Sequence, residues 1–420
     1  MHHHIPPPQF LYEANIFVSY GIPLLLVVLL SSPKHLTAFV VMLVYLRPNE
    51  RFDLPVSIPT MMFPLLFIAL LVYYDQTSSH QFEKEDKMLF KLIGLVMFET
   101  ILFNRQDIKK HLMGACGLGL IYYCSIPIHL SDDKGTKLLS FAILISCLLI
   151  CFEPFYYHFT QEETSQLYQA FKGVTGRLKA WGIWGNSNET SFLACMGIST
   201  MLMLFLKERK IKYLFFFTPM LVMFMIVICL TGSRTGLACL FLTFSILVVT
   251  SKSKFFKTVI ILIMIAAIVI IPKLSPERKD KEASSNERAD LRYKGKKIFK
   301  EHPVFGVGYR RAQRYTGGMM IHCSYIQAFA ETGIFGGYLL FYMLFIVGQK
   351  IYNGLQANKK NKRIYSLYGA LAGIYLSGLL YMCFGNQFLT LMFSTFFGFI
   401  KSYICVIKEL ENKKIRLETA

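Results

Sequence analysis

The feature that most limits what this chain can fold into is the recurrence of apolar runs close to the roughly 20 residues a helix needs to cross a hydrocarbon layer. The clearest lie at 213–230, 235–250, 255–272, 325–348 and 364–384. Others fall at 14–30, 57–74, 88–103, 138–157, 190–206 and 387–406, with two short ones at 36–46 and 112–130. Lipid offers no partner to backbone N–H and C=O groups, so every crossing has to be helical, and the short alternating segments of a closed barrel are not seen. With 54% hydrophobic residues and a mean hydropathy of +0.44, the expected fold is all-α: a polytopic integral membrane protein of about 12 transmembrane helices. One of the two short runs then does not fully cross, which puts both chain ends in the cytoplasm. Residues 1–157 read as N-terminal transmembrane helices and 158–420 as a functional core.

The ten cysteines sit mostly inside or beside spans, where Cys is a small apolar residue, and no CxxC pair occurs. Neither a zinc site nor a structural disulfide is expected. The opening MHHHIPPPQF lacks the Lys/Arg region of a cleavable signal.

The longest polar break runs through 273–322. Between 273 and 321 it holds 13 Lys and Arg against 6 Asp and Glu, a net +7. That charge nearly defeats the orientation count, because basic residues elsewhere divide 17 to 4 while the break alone adds 13 to the smaller side. Short loops set orientation better than long ones, so the C-terminal tail is assigned to the cytoplasm and the break to the outside. A basic segment held outside against the usual bias implies an anionic partner there.

Within the break, Arg288, Arg292, Lys296 and Lys300 recur every four residues and share one helix face, with Leu291, Gly295 and Ile298 on another. The spacing predicts an amphipathic helix ended by Glu301-His302-Pro303, since the residue before Pro resists helical torsion. A helix that merely binds lipid headgroups would show the same pattern. Arg234, in TGSRTG between two spans, has almost no loop to hold it away from the bilayer. Such a group either snorkels or faces a cavity. His322 opens the next span, followed by Ser324, Tyr325, Gln327 and Glu331. As a bland reading it is an interfacial cap, but Gln327 and Glu331 fall near its face and suggest a polar cavity below it.

TGSRTGL at 231–237, the basic segment with Arg288, PVFGVG at 303–308 and HCSYIQAFAETGIFG at 322–336 together resemble the O-antigen ligase and Wzy-type polysaccharide polymerase family of bacterial membrane glycosyltransferases. YLRPNE at 45–50 and WGNSNETSFLA at 184–194 resemble its weaker upstream signatures. Three departures stand out: Cys323 where Asn is common, Tyr293 where Trp is usual, and Asn186-Ser187-Asn188 for an Asn-Pro-Asn.

The resemblance implies a metal-independent enzyme without cofactor in the bacterial inner membrane. It would move a glycan from an undecaprenyl pyrophosphate carrier to a glycan acceptor on the extracytoplasmic face, alongside a flippase and a chain-length regulator and without nucleic acid. Arg234 and Arg288 would neutralise the leaving pyrophosphate and His322 would take the acceptor proton. Arg292, Lys296, Asn188, Tyr325, Gln327 and Glu331 would bind substrate. A polymerase is favoured over a ligase. The rival from another class is a transporter or flippase for a lipid-linked anionic solute, whose mark would be paired broken spans in two related halves. No matching halves are found. A non-enzymatic anchor is a third reading, for which the polar stripe at 322–331 would be surplus.

Overall fold

A computed structural model describes residues 32–46, 66–71, 82–103, 119–160, 187–274, 281–385 and 387–419. Every regular element among them is helical. In chain order these are α1 (Pro33–Leu46), α2 (Lys84–Phe103), α3 (Gly119–Leu130), α4 (Asp133–Thr160), α5 (Ser187–Glu208), α6 (Ile211–Thr231), α7 (Arg234–Thr250) and α8 (Lys254–Leu274). They are followed by α9 (Lys281–Glu301), the single turn α10 (Ala312–Tyr315), α11 (Ser324–Ala357), α12 (Lys362–Met382) and α13 (Leu391–Thr419). Five of these helices, α4, α5, α11, α12 and α13, are long and apolar enough to cross a membrane. The two short runs expected from sequence are short helices, α1 with 14 residues and α3 with 12. The run at 14–30, and most of that at 57–74, lie outside the described residues.

One apolar cluster extends from Ala38 on α1 to Ile407 on α13. Its tightest seam joins α7 to α12. There, Gly369 and Gly373 let α12 approach until added Cβ atoms would press on Thr250 and Thr243 of α7. Small residues admit such close approach where lipid supplies no hydrophobic drive between helices. Thr243 and Ser377 share a hydrogen bond of 2.7 Å across the seam, and Ser377 also donates to the Cys239 carbonyl at 2.7 Å.

The two ends of the bundle differ. At one, charged side chains tie helices together: buried Lys207 of α5 reaches Asp133 of α4 at 3.0 Å, Arg363 of α12 donates to the Lys207 carbonyl at 2.7 Å, and Lys34 pairs with Asp132 at 2.6 Å. At this end too, Lys350 of α11 holds Glu83 and Glu85, and Lys401 of α13 holds Asp86. Asp132 and Asp133 are thereby engaged in structure at the end away from the basic segment. The opposite end carries α9, the starts of α5, α7 and α11, and the α12–α13 connection.

The nine described cysteines are free thiols.

Candidate functional site

Helix α9 forms where the four-residue repeat placed it and stops at Glu301, before His302-Pro303. Leu291 and Ile298 are 1% and 3% exposed, and Gly295 is buried against Ile321 and Ile326 of the α11 entry. This apolar face docks α9 on α11. The basic face splits along its length, with Arg288 and Arg292 half-buried and Lys296 and Lys300 exposed to water. Placing two arginines four residues apart on one face is unfavourable for an isolated helix. Local rules are broken in this way mainly at functional sites.

Both arginines converge on His322. The imidazole is half-buried, and burial followed by the charge of Arg288 holds its pKa below the ordinary histidine value; Glu287 opposes this, and Arg292 adds a smaller downward push. Burial and the Arg292 guanidinium likewise press Arg288 downward, though a guanidinium stays charged at any working pH. Arg288 makes no hydrogen bond to any described residue. Arg292 is tied on two sides, donating through Nε to the His322 carbonyl and through Nη2 to the Cys383 carbonyl, both at 3.4 Å, with Phe384 under its guanidinium at 5.3 Å. Ser324 fastens the same connection, donating to the Gly385 carbonyl at 2.9 Å and accepting from Gln387 N–H at 2.8 Å.

Arg234 is exposed, the first residue of α7. Its turn is built by the residues around it. Gly232 adopts a left-handed conformation to close α6. Ser233 caps α7, accepting from Gly236 N–H at 3.2 Å and donating to Oδ1 of Asn188 at 2.8 Å. Gly236 lies so close to Ser191 of α5 that a side chain there would overlap its hydroxyl. Asn188 is therefore a buried brace for the Arg234 turn, not a side chain open to ligand. From α5 the chain of contacts continues through Phe192 stacked on Tyr381 at 3.9 Å to the Cys383–Gly385 turn that grips Arg292. The structure thus sets Arg234 at the same end as Arg288 and His322, on a neighbouring turn.

The other residues expected to bind substrate are placed differently. Tyr325 points along α11, its hydroxyl donating to the Leu379 carbonyl at 3.0 Å and its ring against Phe341 at 5.2 Å. It lines an apolar groove of about 590 Å³ between α11 and α12. Gln327 and Glu331 are 7% and 1% exposed and pair with each other, the Gln327 amide donating to Glu331 Oε1 at 3.2 Å. The polar stripe read below His322 is thus part of another construction.

That construction is a break in α11 at Gly333, where φ is 61° and ψ −159°. The PVFGVG segment fills it. Val307 and Gly308 N–H donate to the Ala330 and Glu331 carbonyls at 3.0 and 2.8 Å, and Ile334 N–H donates to the Pro303 carbonyl at 2.8 Å. Gly306 and Gly333 are both left-handed, and a Cβ on either would collide with the opposing backbone. The two glycine-bearing motifs are one object, a loop threaded into an opened helix whose freed backbone groups it satisfies.

Sequence reading missed three contributors. Glu99 of α2 is fully buried beside Glu331, Arg311 donates to the carbonyl of Phe103 at the end of α2 at 2.5 Å, and the Cys383–Gly385 turn grips Arg292. Glu99 carried a signal, a lone acid late in an apolar run; the other two contacts have none. Among the described residues no group of three or more His, Cys, Asp and Glu is gathered.

No curated protein matches the chain. Residues 219–341 match the family model described as O-antigen ligase, a stretch that includes Arg234, Arg288, Arg292 and His322 and ends inside α11. Over this segment the chain is similar to the O-antigen ligase/Wzy family, and with its long apolar helices this supports a ligase- or polymerase-type enzyme of the membrane.

Proposed function

We propose that this protein is a glycosyltransferase of the bacterial inner membrane that polymerises undecaprenyl-pyrophosphate-linked oligosaccharide repeats on the outer face. The observation that carries the reading is the meeting of Arg288, Arg292 and a half-buried histidine, two guanidinium groups against the carboxylate of Glu287. Such a site is left net positive, and a pyrophosphate supplies the balancing charge. The start of α11 adds to this: its N-cap, Cys323, gives no side-chain hydrogen bond, so first-turn N–H groups remain for a phosphate oxygen beside the positive end of the helix.

In the reaction, neutral His322 accepts the proton of an acceptor hydroxyl, and that oxygen attacks the anomeric carbon of the donor. The bond from that carbon to the phosphate oxygen breaks, and the lipid pyrophosphate departs with the electron pair. Arg288 meets the growing charge bidentately, and Arg234 adds a second guanidinium from the α7 turn. Arg292 holds the His322 and Cys383 backbones in register, while Lys296 and Lys300 attract anions at the water boundary. About 12 crossings, both chain ends in the cytoplasm and α9 outside complete the reading.

The family description favours a second reading, a ligase that passes a finished chain to a lipid or protein acceptor; the donor chemistry is the same. Purified protein in nanodiscs with a lipid-pyrophosphate-linked repeat unit tests the proposal. Chains of increasing length are expected from wild type and none from His322→Ala, and undiminished chains from a correctly inserted His322→Ala overturn it. In cells lacking the gene, single repeat units indicate a polymerase and long chains stranded on carrier lipid a ligase.

A further inference from the structure

The start of α2 divides its charges by face. Glu83, just ahead of the helix, and Glu85 are held by Lys350 of α11; Lys408 of α13 also reaches Glu83 at 3.6 Å, and Asp86 is held by Lys401 of α13. These carboxylates are thus matched by lysines from the helices α2 packs against. Lys84, Lys87 and Lys91 lie a turn apart on the other face, all three exposed, and none has an ion-pair partner among the described residues. Cations in the opening turns of a helix oppose its dipole, and like charges at this spacing repel. Protein groups leave that face positively charged.

The face borders a hollow of about 490 Å³ between α2 and α11. Lys84 and Lys87 line its α2 side, and Gln349 and Asn353 of α11 bring amide groups to the other. Phe82, Tyr342 and Phe345 add an aromatic wall, with Phe345 62% exposed. Beyond Phe345 the exposed rings of Phe341 and Tyr338 continue along α11, a helix long and apolar enough to cross a membrane. Cations and amides at one end of an exposed aromatic strip match an amphiphile with an anionic head.

We propose that this hollow is a binding site for an anionic glycerophospholipid, its phosphodiester held by Lys84, Lys87 and Lys91 and its acyl chains laid along Phe345, Phe341 and Tyr338. A free phosphate would meet the lysines but leave the aromatic wall in water. The site lies at the end of the bundle away from His322, so its lipid is distinct from any donor bound beside Arg288. Bound there, the lipid clamps the start of α2 to α11. The finish of α2 receives Arg311 through the Phe103 carbonyl, so one helix links the lipid site to the 303–311 loop.

Matched photoactivatable phosphatidylglycerol and phosphatidylcholine probes test this in full-length protein in phosphatidylcholine nanodiscs, with labelled peptides mapped by mass spectrometry. The phosphatidylglycerol probe is expected to label 82–91 and 338–353 at least about fivefold more strongly than its zwitterionic twin, the gain one lysine provides beside an anionic headgroup. Its half-saturating fraction should rise about fivefold in Lys87→Gln, and further when Lys84→Gln and Lys91→Gln are added. Lys359→Gln with Lys360→Gln, exposed lysines at the same end, should leave it unchanged. Inorganic phosphate should displace no more probe than sodium chloride of equal ionic strength. Equal labelling by the two probes, or labelling that survives the triple substitution, overturns the site. Displacement by phosphate beyond the salt control overturns it as well, by assigning the lysines to a free anion. Should the triple variant insert poorly, Lys87→Gln and the two-probe comparison in wild type decide. No arm of the experiment depends on glycan transfer.

Discussion

His322 owes its suitability as a base to its neighbours. Burial and the Arg288 charge disfavour the imidazolium, so the neutral, proton-accepting form persists to lower pH than in an ordinary histidine, whose pKa is about 6.5. The acid limb of kcat/KM is therefore expected below that value. Removing the cation in Arg288→Gln makes the imidazolium easier to form, so the limb should move toward higher pH while the maximal rate falls by roughly 10²-fold. A pH–rate profile of both proteins checks this, and an unmoved limb would separate Arg288 from His322.

At the scale of elements, the site depends on turns more than on helices. The α6–α7 turn is held by Ser233 between Gly236 N–H and Asn188, and it alone aims Arg234. Ser233→Ala should cost about 1 kcal/mol of stability, the usual loss for a helix cap, together with a several-fold rise in donor KM. Asn188→Ala should give a similar rise, since it removes the acceptor of the Ser233 hydroxyl. Denaturation midpoints and donor titrations in detergent measure the two effects. The break in α11 works on the same principle. An unbroken helix would leave the PVFGVG backbone without partners, so helix and loop each require the other. Gly333→Ala forces a Cβ into the Val304 carbonyl and is expected to release the loop, seen as new proteolytic cleavage between 303 and 311.

Across the whole molecule, α2 joins the two ends of the bundle. At its start Asp86 accepts from Lys401 and from the Tyr123 hydroxyl, the latter at 2.6 Å. At its finish the Phe103 carbonyl receives Arg311. Taking one partner from a buried ion pair strands the other charge, so Lys401→Met should destabilise the protein by roughly 3–5 kcal/mol. Lys401 is at the end away from His322, so turnover per folded molecule should stay near wild type. Thermal unfolding in detergent beside an activity titration would show this, and a rate loss without a stability loss would contradict it. The N-terminal helices are thus part of the site's support, although the family match begins only at residue 219.

Much of this protein follows from its sequence alone. Apolar runs near the membrane length dictate helices, because unpaired backbone in lipid is prohibitive. The four-residue repeat of Arg288 and Arg292 dictates their shared helix face, and Pro303 dictates where that helix stops. The family resemblance also brought Arg234, Arg288 and His322 forward as a group. What spacing could not decide was which side chains remain open to a ligand. Asn188 became a brace and Tyr325 a groove wall, while Gln327 and Glu331 paired with each other beside the threaded loop. Those outcomes hang on contacts between residues far apart in the chain, Asn188 with Ser233, Arg292 with Cys383, Phe103 with Arg311. Buried polar groups take whichever partner the packing of distant helices presents, and helical periodicity, which names a face, says nothing about what that face will meet.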